Sequence, residues 1–238
     1  MNDPISDDAT GSLAGLALEF KPDRLADVVY EAIRDAIINR VIEPGSRVTE
    51  AGIATQLNVS KTPVREALLK LRQVGLVEPV GRRGDRIPLP SPSSIHYAYD
   101  AREALESHAA RVAADRGAEA DLAVIADAAA RCLARARSGD LETFMRWDLA
   151  FHLAVSLATA NPRLIALIDD ALALVMALRR RDVPQAAPSL ACAEAHVVIA
   201  DAIGRHAPDE AMHAMSAHVR EVEGYVLASL AQDGDGAR

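Results

Sequence analysis

Aromatic residues make up only 3% of this 238-residue chain, and it contains two cysteines. Cys132 and Cys192 lie far apart and outside any C-x-x-C spacing, so we expect both to be buried and reduced. The most apolar run, 164–178, contains two aspartates and is too short to cross a bilayer. The acidic amino terminus has no basic and apolar segment typical of a signal peptide. These absences predict a cytoplasmic protein without membrane association.

Basic and acidic residues are unevenly distributed along the chain. The net charge is −8, which is unfavourable for binding nucleic acid, but it is unevenly distributed. Residues 21–90 carry 12 basic and 9 acidic residues, including all three lysines, whereas residues 91–238 carry 14 and 21. Because local charge governs contact with phosphates, the 21–90 segment is a candidate nucleic-acid module.

The composition predicts a mainly α-helical protein, because half of the residues are hydrophobic and alanine dominates. We expect a flexible tail over residues 1–20, which show no clear periodicity. A winged helix-turn-helix domain is predicted over 21–90. Residues 91–238 are predicted to form a second, all-α domain, an antiparallel helical bundle.

A helix-turn-helix pattern spans residues 50–72. One helix is predicted over 50–57, Asn58 can take a helix-ending conformation, and a second helix begins near Ser60. Ser60 or Thr62 can cap this second helix, whose apolar residues recur at helical spacing. The pattern is typical of a DNA-recognition helix, whose first turns contact bases and phosphates. The candidate contacts at its start are Ser60, Lys61, Thr62 and Arg65.

Two short extended runs, 76–80 and 85–89, flank a Gly-Arg-Arg-Gly tetrapeptide. This pattern predicts a hairpin with Arg82 and Arg83 at its tip. By itself such a tip is equally consistent with an arginine-rich turn in solvent. Beside a recognition helix we interpret it as a wing, in which both arginines contact the minor groove or the DNA backbone.

The bundle is predicted from helical periodicity interrupted by turn residues. A proline-rich hinge over 88–92 separates it from the winged domain, because prolines cannot continue a helix there. Six helices follow, at 94–116, 119–138, 141–159, 162–182, 189–205 and 208–231.

Four residues of the bundle are not explained by simple packing. Asp148 and His152 lie four apart on one otherwise apolar helix face, His196 lies on a later helix, and His218 lies on the last. Two interpretations are open. Single histidines on helices are usually core or surface residues, but one carboxylate and three imidazoles from three helices could also converge on a metal. That donor set suits zinc, nickel, manganese or iron rather than calcium or magnesium.

The run PGSRVTEAGIATQLNVSKTPVREALLKLRQVGLVEPVGRRG, residues 44–84, resembles the winged helix-turn-helix of GntR-type bacterial transcription regulators. The carboxyl-terminal half is similar to the FCD domain of the FadR-type subgroup. The matching residues there are Arg102 and Glu106, Asp148 and His152, Glu194 and His196, and His218. The resemblance covers residues 24–231.

This resemblance implies a site and a function. In the metal-binding branch of that subgroup one Asp and three His hold a divalent ion that captures a small carboxylate. Carried over, Asp148, His152, His196 and His218 are the ligands, with zinc the first expectation. Arg102 is implied as the partner of an effector carboxylate, and the alternative is an intrahelical ion pair with Glu106. The chain has Lys61 where many relatives have arginine, so a bidentate contact is replaced by a point charge.

The resulting hypothesis is a homodimeric, ligand-responsive transcriptional repressor that binds double-stranded operator DNA and a small organic acid. One alternative is a metal-dependent hydrolase or lyase with a DNA-binding appendage, with Glu194 or Glu106 as base. Because the chain lacks the HExxH, GxSxG and phosphate-loop motifs, we expect no enzyme activity. Another alternative is a regulator in which the ion is purely structural.

Overall fold

The computed structural model describes residues 24–81, 84–179 and 186–235. The amino-terminal part of these residues is a winged helix-turn-helix. Its three short strands form an antiparallel sheet in the order β1-β3-β2, in which Arg86 of the central strand pairs with Arg47 on one side and Glu78 on the other. The elements are α1 (Arg24–Ile38), β1 (Arg47–Val48), α2 (Glu50–Leu57), α3 (Lys61–Val74), β2 (Glu78–Pro79) and β3 (Asp85–Arg86).

Local sequence explains the ends of α2 and α3. The Thr49 hydroxyl accepts the amide of Gly52 and caps α2, and Asn58 ends it with a left-handed φ of 52°. Ser60 occupies the N-cap position of α3, but its side chain makes no capping hydrogen bond, so the capping role predicted for it is wrong. The two extended runs form shorter strands than predicted, and β1 was not predicted because two residues show no alternation.

The carboxyl-terminal part of the described residues is an all-helical bundle, as predicted. Its helices are α4 (Pro92–Arg116), α5 (Glu119–Ser138), α6 (Leu141–Leu157), α7 (Pro162–Leu178), α8 (Ala186–Gly204) and α9 (Pro208–Asp235). The long helices α4 and α9 pack against each other, and α5 packs on α6 and α8. Both cysteines are free and buried in this core, which confirms that prediction.

Several predicted helix boundaries need correction. Helix α4 begins at Pro92, two residues early, because proline fits the first helical turn and Ser91 caps it in a reciprocal pair with Ser94. Helix α7 ends at Leu178 rather than residue 182, since Arg179 has extended backbone angles. Helices α8 and α9 extend further than predicted, to Ala186 and Asp235. The predicted tail over 1–20 lies outside the described residues.

Helix α7 belongs to both halves of the molecule. Its Ala173 and Ala177 are buried in the core of the winged domain, together with residues of α1 and α3. Arg34 of α1 donates to Asp169 of α7 at 2.8 Å, and Arg40 donates to the backbone carbonyl of Arg179. The two halves are therefore joined by packing and charge, not only by the proline-rich linker. Over the described residues, none of the helices is long and apolar enough to span a membrane.

Candidate metal centre and nucleic-acid interface

Helix α3 presents the predicted DNA-contact residues on its exposed side. Its apolar face is buried against the winged-domain core through Val64 and Leu68, while Ser60, Lys61, Thr62 and Arg65 are exposed. Arg65 makes a two-pronged ion pair with Glu50 of α2, with Nε and Nη2 each 3.0 Å from a carboxylate oxygen. The hydrogen bond from Arg65 lowers the pKa of Glu50. Sequence periodicity separates the two faces of a helix, but it could not show this contact between helices.

The wing is held to the recognition helix by a buried carboxylate. Asp85 of β3 is 1% exposed and accepts from Arg72 of α3 at 2.6 and 2.9 Å. A Cβ added at Gly84 would lie 2.9 Å from the Val48 carbonyl, and its φ is +111°, so glycine is required beside β3. The predicted wing residues Arg82 and Arg83 lie outside the described residues.

The four predicted metal ligands lie together in the bundle. Asp148 and His152 come from α6, His196 from α8 and His218 from α9. The Nε2 atoms of His196 and His218 are 3.2 Å apart, and those of His218 and His152 are 3.4 Å apart. The Asp148 Oδ1 atom is 3.7 Å from Nε2 of His196 and 4.0 Å from Nε2 of His152. All three imidazoles are buried and their donor atoms form one group, and Asp148 joins a second, overlapping group through His196.

The electrostatics of the cluster keep its donors in metal-binding protonation states. Burial lowers the pKa of His196 to about 3, assisted by the neighbouring His152. Burial also lowers the pKa of His218 well below its usual value. Burial alone would raise the pKa of Asp148, but the adjacent imidazoles and Arg179 outweigh it and lower that pKa. Near neutral pH the cluster therefore offers two neutral imidazoles and a carboxylate, as metal coordination requires.

Glu106 of α4 orients His152, a role that sequence reasoning missed. The Glu106 carboxylate contacts His152 Nδ1, and Arg102 Nη2 lies 2.7 Å from His152 Nε2. Arginine can only donate, so Nε2 is an acceptor and the ring proton lies on Nδ1, facing Glu106. In this structure the Nε2 lone pair accepts from Arg102, so a metal ion bound at Nε2 would replace that hydrogen bond. A carboxylate behind a ligating histidine is the usual second layer of a metal site.

The donor set fits a divalent ion. Nitrogen ligands about 2.1 Å from a tetrahedral zinc ion lie about 3.4 Å from one another, close to the imidazole separations found here. The Cys192 thiol donates to Asp148 Oδ1 at 3.3 Å and lies 3.8 Å from His196 Nε2, and burial raises its pKa, so it is present as a thiol. The cluster is therefore compatible with a metal of the zinc type.

Arg102 contacts both Glu106 and His152. It is 2% exposed, is paired with Glu106 one turn away and donates to His152. The ion pair within α4 is therefore present, and the predicted effector contact stays a prediction. The adjacent charges lower the pKa of Glu106 to about 2 even though burial alone would raise it.

A second arginine near the cluster was not singled out from the sequence. Arg179 Nε donates to the Tyr99 hydroxyl at 3.0 Å, and Nη1 is 3.8 Å from Asp148 Oδ2. The only sequence feature that could have indicated it is its position at the end of the apolar 164–178 run, where a cation interrupts a buried helix.

Each half of the chain matches the model of a known protein family. Residues 25–87 match the model for bacterial regulatory proteins of the gntR family, and residues 97–221 match the FCD domain. The chain belongs to the GntR family of transcriptional regulators. Its fold, with the helix-turn-helix before the FCD bundle, is the one that the sequence predicts. The proteins of this family and the relatives below are transcriptional regulators rather than enzymes, as expected.

Two relatives and one solved structure illustrate the match. The chain is 30% identical to the probable D-xylose utilization operon transcriptional repressor of Paenarthrobacter nicotinovorans, covering 80% of this chain and 85% of that protein. It is 24% identical to the HTH-type transcriptional repressor RspR of Escherichia coli strain K12, covering 87% and 91%. The structure of E. coli McbR/YncC superposes with a TM-score of 0.72 at 20% identity, over 87% of this chain and 98% of that one.

Proposed function

We propose that this GntR-family regulator is a repressor whose bundle holds a divalent metal and senses a small carboxylate. The observation that carries the proposal is the convergence of three buried imidazole Nε2 atoms at 3.2–3.4 Å beside Asp148. The ligands would be Asp148, His152, His196 and His218, with Glu106 fixing the tautomer of His152. A bound divalent ion would supply a Lewis-acidic site for an oxygen of an anionic effector.

The DNA half of the proposal depends on α3 and the wing. Lys61, Thr62 and Arg65 would enter the major groove, and Ser60, Arg82 and Arg83 would contact phosphates or the minor groove. Arg65 must exchange Glu50 for DNA, which an exposed ion pair permits at low cost. Two copies of the chain, acting in the cytoplasm, would present two α3 helices to a palindromic operator.

Helix α7 offers a physical route from the metal centre to the DNA-binding half. Arg179 lies near Asp148 at one end, while Ala173 and Ala177 are buried in the winged-domain core. An effector can change operator affinity only if it binds one placement of the winged domains more tightly than another. We expect that movement of the end of α7 would select between such placements.

Zinc titration of the full chain tests the metal centre. We expect zinc to bind the wild-type chain, and His196→Ala to weaken binding by about 100-fold or more, because losing a ligand costs at least as much as losing an outer partner. His213→Ala is the matched control, since that histidine is exposed on α9 and outside the cluster. Equal zinc affinity for wild type and His196→Ala would refute the metal site.

A DNA-binding assay distinguishes a metal that takes part in effector sensing from a metal that only stabilises the fold. Operator sequences would be selected from a random DNA pool with zinc-loaded protein, and their affinity measured with and without small carboxylic acids. A change in affinity that is lost in His196→Ala supports metal-dependent sensing. The structural alternative predicts that chelation lowers the melting temperature while no acid alters DNA affinity.

A further inference from the structure

A cavity opens beside the metal cluster, between α4, α6, α7, α8 and α9. Its interior holds about 90 Å³ of space open to the centre of a water-sized sphere. Asp148 and Cys192 border it, so it is continuous with the donors described above. Most of its wall is aliphatic or aromatic, contributed by Ile95, Phe144, Leu178, Val222, Val226 and Leu230.

The cationic group of this cavity is Arg179. Among the described residues that line it, no other side chain carries a positive charge. The Arg179 guanidinium is oriented by Tyr99 through Nε, and its closest carboxylate, Asp148, is beyond hydrogen-bond distance at 3.8 Å. The remaining N–H groups can therefore donate to a second anion. Arg102 differs, because it lies outside this cavity and is paired with Glu106 and His152.

The polar groups of the cavity lie mostly at one end. Asp148, Arg179 and Cys192 are close to the cluster, and the hydroxyl of Tyr225 is already bonded to Glu221. The other hydroxyl groups of the lining are those of Ser189 and Ser229. A ligand bound here would have one end in a polar site and its body against hydrocarbon. Among the described residues of the lining, only the Ser189 and Ser229 hydroxyls could pair with polar groups along that body, so several hydroxyl groups or a second carboxylate would be buried at a cost.

We propose that the effector is a monocarboxylate with an aliphatic or aromatic body, whose carboxylate pairs with Arg179 beside the metal cluster. The proposal rests on the function proposed above and narrows it to one ligand class. The apolar walls contribute affinity by burial, and Arg179, the one cationic side chain of the described lining, pairs with the carboxylate. Hydroxy acids, dicarboxylates and sugar acids fit the metal and the arginine but not the walls.

Calorimetric titration of the zinc-loaded full chain tests this with named probes. Phenylacetate and hexanoate are the apolar acids, lactate and succinate are the polar acids, and hexanamide is the uncharged control. We expect phenylacetate and hexanoate to bind at least tenfold more tightly than lactate or succinate, since several methylene groups are buried. Hexanamide should bind at least tenfold more weakly than hexanoate, because it lacks the charge-assisted pair.

Two pairs of variants locate the ligand. Arg179→Gln should weaken hexanoate binding at least tenfold, while Arg163→Gln, an exposed arginine in the first turn of α7, should not change it. Val226→Phe should fill the apolar end and abolish hexanoate binding, whereas Val198→Phe, which adds the same bulk at a position 60% exposed, should not.

The outcomes distinguish this inference from the function beneath it. Tighter binding of lactate or succinate that survives Val226→Phe would overturn the apolar class and leave a metal-dependent acid sensor in place. Hexanoate binding that is unchanged in Arg179→Gln would overturn the assignment of the carboxylate. If no acid of either class binds the zinc-loaded chain, the inference fails together with the proposed sensing function.

Discussion

The two halves of the molecule place similar ion pairs in opposite environments. In the winged half Arg65 pairs with Glu50 at the surface, and 61% of the arginine side chain is exposed. In the bundle Arg102 pairs with Glu106, and each is 2% exposed. Water and salt weaken the exposed pair, so DNA phosphates or bases can replace it. The buried pair must persist, because a single charge left in the interior is costly. The exposed Arg65–Glu50 pair is therefore suited to exchange with DNA, and the buried Arg102–Glu106 pair is suited to holding a fixed geometry.

The largest effect that tests this contrast is on stability. Glu106→Ala should lower the free energy of unfolding by about 3–5 kcal/mol, because it leaves Arg102 buried without its carboxylate. Glu50→Ala removes the equivalent partner of Arg65 at the surface and should change stability far less. Urea unfolding of both variants measures the difference. Equal losses would show that burial does not distinguish the two pairs.

The next effect concerns DNA binding. Arg65→Ala should weaken binding to a selected operator by roughly 10- to 100-fold, since one bidentate base contact is worth about 1–3 kcal/mol. Arg146→Ala is the control, because Arg146 is also exposed and paired with a glutamate but lies on α6. Fluorescence anisotropy with operator and scrambled DNA makes the comparison. Unchanged operator affinity in Arg65→Ala would show that α3 does not enter the groove as assigned.

A fall in pH should change the free energy of unfolding in opposite directions through the buried His196 and the exposed His96. The pKa of His196 is depressed to about 3 by burial, so the unfolded chain binds a proton more readily than the folded one between about pH 6.5 and pH 3. The metal-free chain should therefore lose stability as pH falls through that window. His96 is exposed, and its hydrogen bond to Glu223 raises its pKa, so its contribution is present at low pH and is lost as pH rises above about 6.5.

Chemical unfolding across pH 4–8 in the presence of a chelator checks these signs. The slope below pH 6.5 should become shallower in His196→Gln, which cannot take up the proton. His96→Gln should instead flatten the part of the curve above pH 6.5. An unaltered acid slope in His196→Gln would contradict the depressed pKa of that imidazole.

The smallest effect is expected from Lys61→Arg. The lysine offers a point charge at the start of α3, whereas arginine offers a planar pair of donors suited to guanine. The substitution should leave affinity for scrambled DNA nearly unchanged and sharpen discrimination between operator bases by less than about tenfold. Competition with single-base operator variants measures it. A uniform gain on all DNA would indicate a phosphate contact instead.

The sequence predicted helices best where periodicity and end residues agree. Helix α2 was predicted with both of its bounds, because an apolar face and a helix-ending Asn58 mark it. The predicted start of α4 was wrong because proline can either interrupt a helix or begin one. Pro92 was assigned to the hinge, but it begins α4. Strand β1 is too short to show a pattern. Its place depends on pairing with β3, which lies about 40 residues away.

The sequence predicted the candidate ligands of the site but not the side chains that contact them. Asp148 and His152 share a helix face, which spacing shows. The donor chemistry of His196 and His218 added them as candidates, and the family resemblance implied all four as ligands. Spacing could not show that Glu106 contacts His152, or that Arg179 lies near Asp148. These contacts join residues 46 and 31 positions apart, and they depend on how α4, α6 and α7 pack.

The sequence by itself determined the helical class, the basic amino-terminal module and the candidate DNA-contact and metal-ligand residues, because these follow from local propensity, charge and donor chemistry. Only the tertiary structure decided that three imidazoles share one interior point, that an apolar cavity adjoins them, and that α7 serves both cores. Such features depend on the angles and distances between helices, which arise from packing of the whole chain and are not encoded in any local stretch of it.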